Sequence, residues 1–264
     1  MNPFFVIGAW HSGTRLPAQI LGTSMPVLSQ SSSLDCDSNE IKRIIRNILS
    51  RKLQYTNKDV KKFRKSLEKC AQKYNVSASN FVCKLPMFSY VGGFLRDCYP
   101  SSPIINIIRN GLDVSVSDLG LPVPTRADSP KQIAFHYAYF NEIRDKFCGI
   151  NLKTIPGMLK KRPPEKHLFA AQLWKNATIH SIKNRQLSKY YELKFENIVE
   201  SPYIVSKNFL TSLQLDYNVE KLKKWSQKID STKVNRWKKV YNKRQHNQLL
   251  KLIKKDLIYL KYEV

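Results

Sequence analysis

Acidic residues are scarce: 20 Asp and Glu stand against 45 Lys and Arg in 264 residues, a formal charge of +25. The deficit leaves polyanions as natural partners, whether nucleic acid, acidic glycans, anionic lipid head groups or a multiply charged nucleotide. A composition rich in Lys, Asn and Ile explains the surplus equally well, with most lysines on solvated faces. Long apolar runs are also missing. No segment approaches the roughly 18 apolar residues of a membrane span, and the opening Phe4-Phe5-Val6-Ile7 run has no basic stretch before it, so no secretory leader is expected. The five cysteines (Cys36, Cys70, Cys83, Cys98, Cys148) form no CxxC pair. An odd, scattered set fits a reducing compartment, and the expectation is a soluble, cytoplasmic protein. His136, His167, His180 and His246 have no Cys or carboxylate at ligand spacing, so no metal site is expected. Helix-turn-helix, RRM and zinc-finger signatures are absent, and no nucleic-acid partner is expected.

Hydrophobic residues make up 42% of the chain and aromatics 11%, enough for a single globular domain over residues 1–264. Phe4 to Ile7 reads as a buried parallel strand, residues 8–13 as a loop, and an apolar helical face begins near Thr14. Two helices follow, from Ser38 to about Gln54 and from near Asn57 to Tyr74, a helical insertion over about 40–80. Further strands are expected at Phe81–Lys84, Pro103–Ile108 and Tyr190–Lys194. Helices are expected after Asp113, over Phe169–Asn184 and Ser201–Leu213, and as a basic C-terminal helix with Leu249, Leu250, Ile253, Leu257 and Leu260 on one face. Residues 120–166 carry three proline clusters around a helix at roughly 130–147, as a lid or acceptor-binding insertion would. Strands alternating with helices predict an α/β chain with a parallel sheet.

The first loop, Gly8-Ala9-Trp10-His11-Ser12-Gly13-Thr14-Arg15, has the G-x-x-x-x-G spacing of a turn whose backbone N–H groups cradle a phosphate. A nucleoside triphosphatase would place Lys and then Ser or Thr after the second glycine; Thr14-Arg15 stands there instead. Its metal-binding strand would end in an acid, whereas Pro103–Ile108 ends in Arg109. The arrangement supplies cations to an anion and offers no metal ligand.

Phe5 to Leu16 resembles the 5′-phosphosulfate loop of sulfotransferases that use 3′-phosphoadenosine 5′-phosphosulfate (PAPS). Ile105 to Leu119 resembles their 3′-phosphate motif, a strand ending in arginine with a serine eight residues later: Arg109 and Ser117. Lys84-Leu85-Pro86 looks like the family's Lys-Thr-Pro element. Trp174 and the run Tyr190 to Val199 resemble its late helix and strand, and Arg236-Trp237-Lys238-Lys239 its C-terminal Gly-Arg-Trp segment. The resemblance runs in order over most of the chain and is weakest in 40–80 and 120–166. It implies a three-layer parallel-sheet, P-loop-like sulfotransferase fold with helical insertions, and PAPS as co-substrate with no metal. His11 departs from the pattern, standing where Lys or Arg is usual; Arg15 then supplies a charge, as in the Gly-Thr-Arg of heparan-type glucosaminyl members.

The implied roles follow. The Ser12–Thr14 backbone with Gly13, together with His11, Arg15 and Lys84, would meet the charge on the leaving phosphate. Arg109 and Ser117, with Arg236 or Lys238 in addition, would hold the 3′-phosphate. In the glycan and tyrosine members the general base is a carboxylate downstream of the loop. The candidates here are Asp35, Asp37 and Glu40, with Asp35 preferred and Glu40 second, although Asp37 and Glu40 around Ser38 also suit the start of a helix. Glu196, Trp174 and Trp237 read as structural. The acceptor is open among an anionic glycan, a peptide tyrosine, a lipid and a small alcohol. Rival readings are a P-loop kinase or NTPase, a nucleic-acid-binding protein, and a nucleotide-binding family member without catalysis.

Overall fold

The computed structural model describes residues 1–29, 34, 36, 38–76, 80–119 and 166–264. Among the described residues there are four strands: β1 (Asn2–Ile7), β2 (Asn80–Lys84), β3 (Ile104–Ile108) and β4 (Tyr190–Lys194). The helices are α1 (Arg15–Leu21), α2 (Asn39–Ser50), α3 (Asn57–Lys73), α4 (Gly92–Cys98), α5 (Gly111–Leu119) and α6 (Lys166–Ile182), followed by α7 (Phe195–Glu200), α8 (Pro202–Ser212), α9 (Val219–Ser226), α10 (Trp237–Val240) and α11 (Lys243–Tyr259). The chain forms two compact units, Met1–Ile45 with Tyr55–Arg109 and Ala177–Val234, and Arg46–Gln54 with Asn110–Asn176 and Asn235–Val264.

The first unit is built on a parallel sheet of order β2-β1-β3-β4. Phe5 pairs with Cys83 on one side and Ile104 on the other, and Ile104 pairs in turn with Tyr190. Because β1 is covered on both faces, it reads as an unbroken apolar run rather than an alternating one. Phe4 and Val6 point into a cluster with Ile20, Leu21, Ile198, Leu210 and Leu222, from α1, α7, α8 and α9. Phe5 points the other way, edge-on to Phe88 at 5.6 Å and near Phe63 of α3 at 6.4 Å. Helix, sheet and helix form the expected three layers. Each buried Phe or Leu here contributes about 2–3 kcal/mol of apolar transfer.

Helix boundaries follow local chemistry. Ser38 Oγ accepts the Ile41 N–H at 3.2 Å as α2 begins. At the start of α3, Thr56 and Asp59 exchange reciprocal bonds, satisfying amides the helix cannot. Asn242 and Gln245 do the same for α11. In the second unit, α11 buries Leu249, Ile253 and Leu257, and Lys175 of α6 pairs with its Asp256 at 3.3 Å. Trp174 is fully buried, its ring so close to Gly111 that a Cβ there would meet it at 2.6 Å.

The structure adds α4, α7, α9 and α10 to the elements read from the sequence. The helix expected at 130–147 lies outside the described residues. Among the described residues, no helix is long and apolar enough to cross a membrane, and no group of three or more His, Cys, Asp or Glu is placed to hold a metal. Cys36, Cys70, Cys83 and Cys98 are buried and outside any disulfide, and the Cys36 and Cys70 sulfurs lie within hydrogen-bond reach at 3.8 Å.

Candidate functional site

Parallel strands put all their carboxyl ends on one edge, and that edge carries the chemistry. Gly8 follows β1, Lys84 ends β2, Arg109 follows β3 and Phe195 follows β4. The chain leaves β1 for β2 on one side and returns to β3 on the other. Such a reversal of strand order opens the crevice where open α/β sheets bind ligands.

The loop after β1 is held by its backbone. Gly8 has φ +150° and Gly13 φ +90°, conformations that an L side chain resists. A Cβ on Gly8 would also strike the Ile107 carbonyl oxygen and Ser12 Oγ at 2.8 Å. The Gly8 N–H donates to the buried Ser89 Oγ at 2.9 Å. Ser12 Oγ donates to the Ala9 carbonyl at 2.6 Å, and the Ser12 N–H reaches the same oxygen at 3.1 Å. His11 is left-handed with φ +60°, which histidine tolerates better than most residues. Its carbonyl is thereby turned to accept from Arg109 Nη1 at 3.0 Å.

Two buried cations converge on this loop. Lys84 is 3% exposed and its Nζ donates to Thr14 Oγ1 at 3.3 Å. Arg109 is 4% exposed. Besides His11 it donates from Nη2 to the Lys233 carbonyl at 2.6 Å, and its guanidinium stacks 4.2 Å from the Phe195 ring centre. Taking an ammonium or guanidinium out of water costs several kcal/mol before compensation. Hydrogen bonds to oxygens and the ring face offset part of that cost.

The expected residues separate as follows. The structure brings His11, Ser12, Gly13, Thr14, Lys84 and Arg109 together, with Arg15 exposed at the start of α1. Glu40 lies in the first turn of α2, 3.8 Å from Arg43. With Ser38, Ser66, Lys69, Cys70, Lys73 and Tyr74 it lines a cleft of about 180 Å³. Asp35 and Asp37 lie outside the described residues. Ser117 and Arg236 belong to the second unit. There Ser117 Oγ donates to the Asp113 carbonyl at 3.1 Å, and Arg236 precedes α10. Trp237 is half-buried and stacked on His246 at 4.7 Å.

Two residues at the site escape sequence reasoning. Phe195 packs against both Gly13 and Arg109, and its only sequence signal is an apolar residue closing the β4 run. Ser89 anchors Gly8 from 81 positions away, and nothing local marks it.

No protein-family profile matches the chain. An uncharacterized protein of Aquifex aeolicus (strain VF5) is 31% identical over 135 residues, 44% of this chain. The chain spans only 17% of the length of that relative. Among solved structures, the sulfotransferase domain of the curacin biosynthetic pathway superposes with a TM-score of 0.51 at 13% identity, covering 100% of this chain and 98% of that domain. The sulfotransferase domain of the Synechococcus PCC 7002 olefin synthase gives 0.53 at 13% identity, with 100% and 96% covered. A sulfotransferase of Mycobacterium avium gives 0.51 at 9% identity, with 100% and 78% covered. The chain has the sulfotransferase fold.

Proposed function

We propose that this protein transfers a sulfuryl group from PAPS to an acceptor hydroxyl, with an anionic glycan the acceptor that the +25 charge favours. The observation that carries the reading is the convergence of two buried cations, Lys84 and Arg109, on the glycine loop after β1. The two phosphate groups of the nucleotide, the 5′ beside Lys84 and the 3′ beside Arg109, would recover much of the cost of burying them.

The acceptor oxygen attacks sulfur in line, the bond from sulfur to the 5′-phosphate oxygen breaks, and adenosine 3′,5′-bisphosphate leaves. The Ser12–Thr14 amides, His11, Arg15 and Lys84 stabilise the charge that grows on that phosphate. Arg109 binds the 3′-phosphate. The resemblance in sequence also assigns Ser117 and Arg236 to that phosphate. Asp35, with Glu40 second, takes the acceptor's proton. A kinase is disfavoured by Arg15 and Arg109, which stand where a hydroxyl and an acid would hold magnesium.

The test is a thermal-shift titration with adenosine 3′,5′-bisphosphate, against ATP with magnesium, on wild type and Arg109→Ala. A ligand at about a hundred times its Kd adds about 2.7 kcal/mol. Stabilisation by the bisphosphate that disappears in Arg109→Ala is the expected result. Stabilisation by ATP with magnesium alone would install the kinase reading, and no response to either would remove the nucleotide site. Bisphosphate binding without sulfuryl transfer to any acceptor class would point to a member that has lost catalysis.

A further inference from the structure

Asp113 sits in the first turn of α5 and is 1% exposed. A buried carboxylate is costly unless its oxygens are satisfied. Here both are spent on one short segment. Oδ2 accepts the Asn235 N–H at 2.7 Å and Oδ1 accepts the Trp237 N–H at 3.1 Å. The residue between those two amides is Arg236. Asn235 is left-handed, with φ +58°, and α10 beyond it has only four residues. A turn of that length does not hold itself in water. Gripping the amides on both sides of Arg236 fixes the direction in which its side chain leaves the backbone.

We propose that Asp113 is a positioning residue that presets Arg236 for an adenosine bisphosphate phosphate group, an inference that rests on the nucleotide-binding reading above. The carboxylate's two equivalent acceptors are what the task requires. An asparagine has one acceptor oxygen and turns an N–H₂ toward the second amide, so one of the two bonds is lost. Arg236 then samples other directions, and the entropy of ordering it is charged to ligand binding. Ser117 is carried on the same helix and bonds the Asp113 carbonyl, so the helix and the segment bearing Arg236 are tied at one residue.

The experiment is a double-mutant cycle on the full chain, reading the Kd for adenosine 3′,5′-bisphosphate by calorimetry. The proteins are wild type, Asp113→Asn, Arg236→Ala and the double variant, each first checked for a cooperative melt. Asp113→Asn is expected to weaken binding by about tenfold when Arg236 is present and by less than about twofold when it is alanine. Asn235→Val, at an exposed position, disfavours the left-handed turn without touching the carboxylate. It should show the same dependence on Arg236 and keeps the test decisive if Asp113→Asn fails to fold. Equal losses in both Arg236 backgrounds would overturn the positioning role while leaving the nucleotide site standing. A wild-type protein with no affinity for the bisphosphate would overturn both, which separates the two failures.

Discussion

The guanidinium of Arg109 lies 4.2 Å from the ring centre of Phe195, and that same ring fills the space a Cβ on Gly13 would need. One aromatic side chain therefore supports a cation from the end of β3 and a turn from the end of β1.

Phe195→Ala is expected to cost about 3–5 kcal/mol of stability, because it opens a cavity under the loop and uncovers the guanidinium. Phe195→Leu separates the two effects. Its stability loss should stay below about 1.5 kcal/mol, while bisphosphate affinity still falls a few-fold as Arg109 loses its stacked face. Denaturant melts and calorimetric titration of both variants check this.

Gly13→Ala is expected to destabilise by about 2 kcal/mol or more. It combines φ +90° with a clash of the new Cβ against Phe195 Cδ2, and either alone is unfavourable. Gly93→Ala is the matched control. A Cβ there meets nothing nearer than Tyr55 Oη at 4.0 Å, inside α4, so that variant should be stabilised by about 0.5–1 kcal/mol. Urea unfolding of the pair tests whether conformation or mere residue size decides.

Lys84→Met keeps most of the buried stem and removes the charge beside Thr14. Without ligand the variant should melt no lower than wild type, because an ammonium no longer has to be desolvated. Its affinity for adenosine 3′,5′-bisphosphate should fall about tenfold or more. An unchanged affinity, measured by calorimetry, would take Lys84 out of the phosphate site.

His180 predicts a pH dependence. Burial, with the nearby charge of Lys183 second, holds its pKa below the ordinary imidazole value, and its ring lies against Tyr90 at 5.3 Å. The native state thus binds this proton less readily than the unfolded chain. The stabilisation is present above the unfolded pKa of about 6.5 and is lost as pH falls below it. Stability should drop more steeply between about pH 7.5 and pH 5.5 in wild type than in His180→Phe, which carries no proton to gain. Urea melts at the two pH values measure the difference.

Much of the fold was legible because it is local. The apolar run Phe4–Ile7, the strand before Arg109 and the 3.6-residue spacing in α2, α3 and α11 each report burial within a few positions. Loop glycines also show in sequence, since only a turn needing positive φ asks for them there. Short helices such as α4, α7 and α9 were less visible. Seven residues beginning Gly92-Gly93 carry little helical signal, and α4 is helical because Phe94 and Leu95 pack into the core.

The sequence by itself determined the strand-loop-helix opening, the cationic residues offered to an anion, and the order of motifs along the chain. Only tertiary structure decided which of them meet. Arg109 touches His11 from 98 positions away and Lys84 touches Thr14 from 70, because parallel pairing gathers the strand ends on one edge. Phe195, Ser89 and Asp113 acquire their roles the same way. A contact between residues distant in sequence depends on sheet order and register, and neither is written in the residues flanking it.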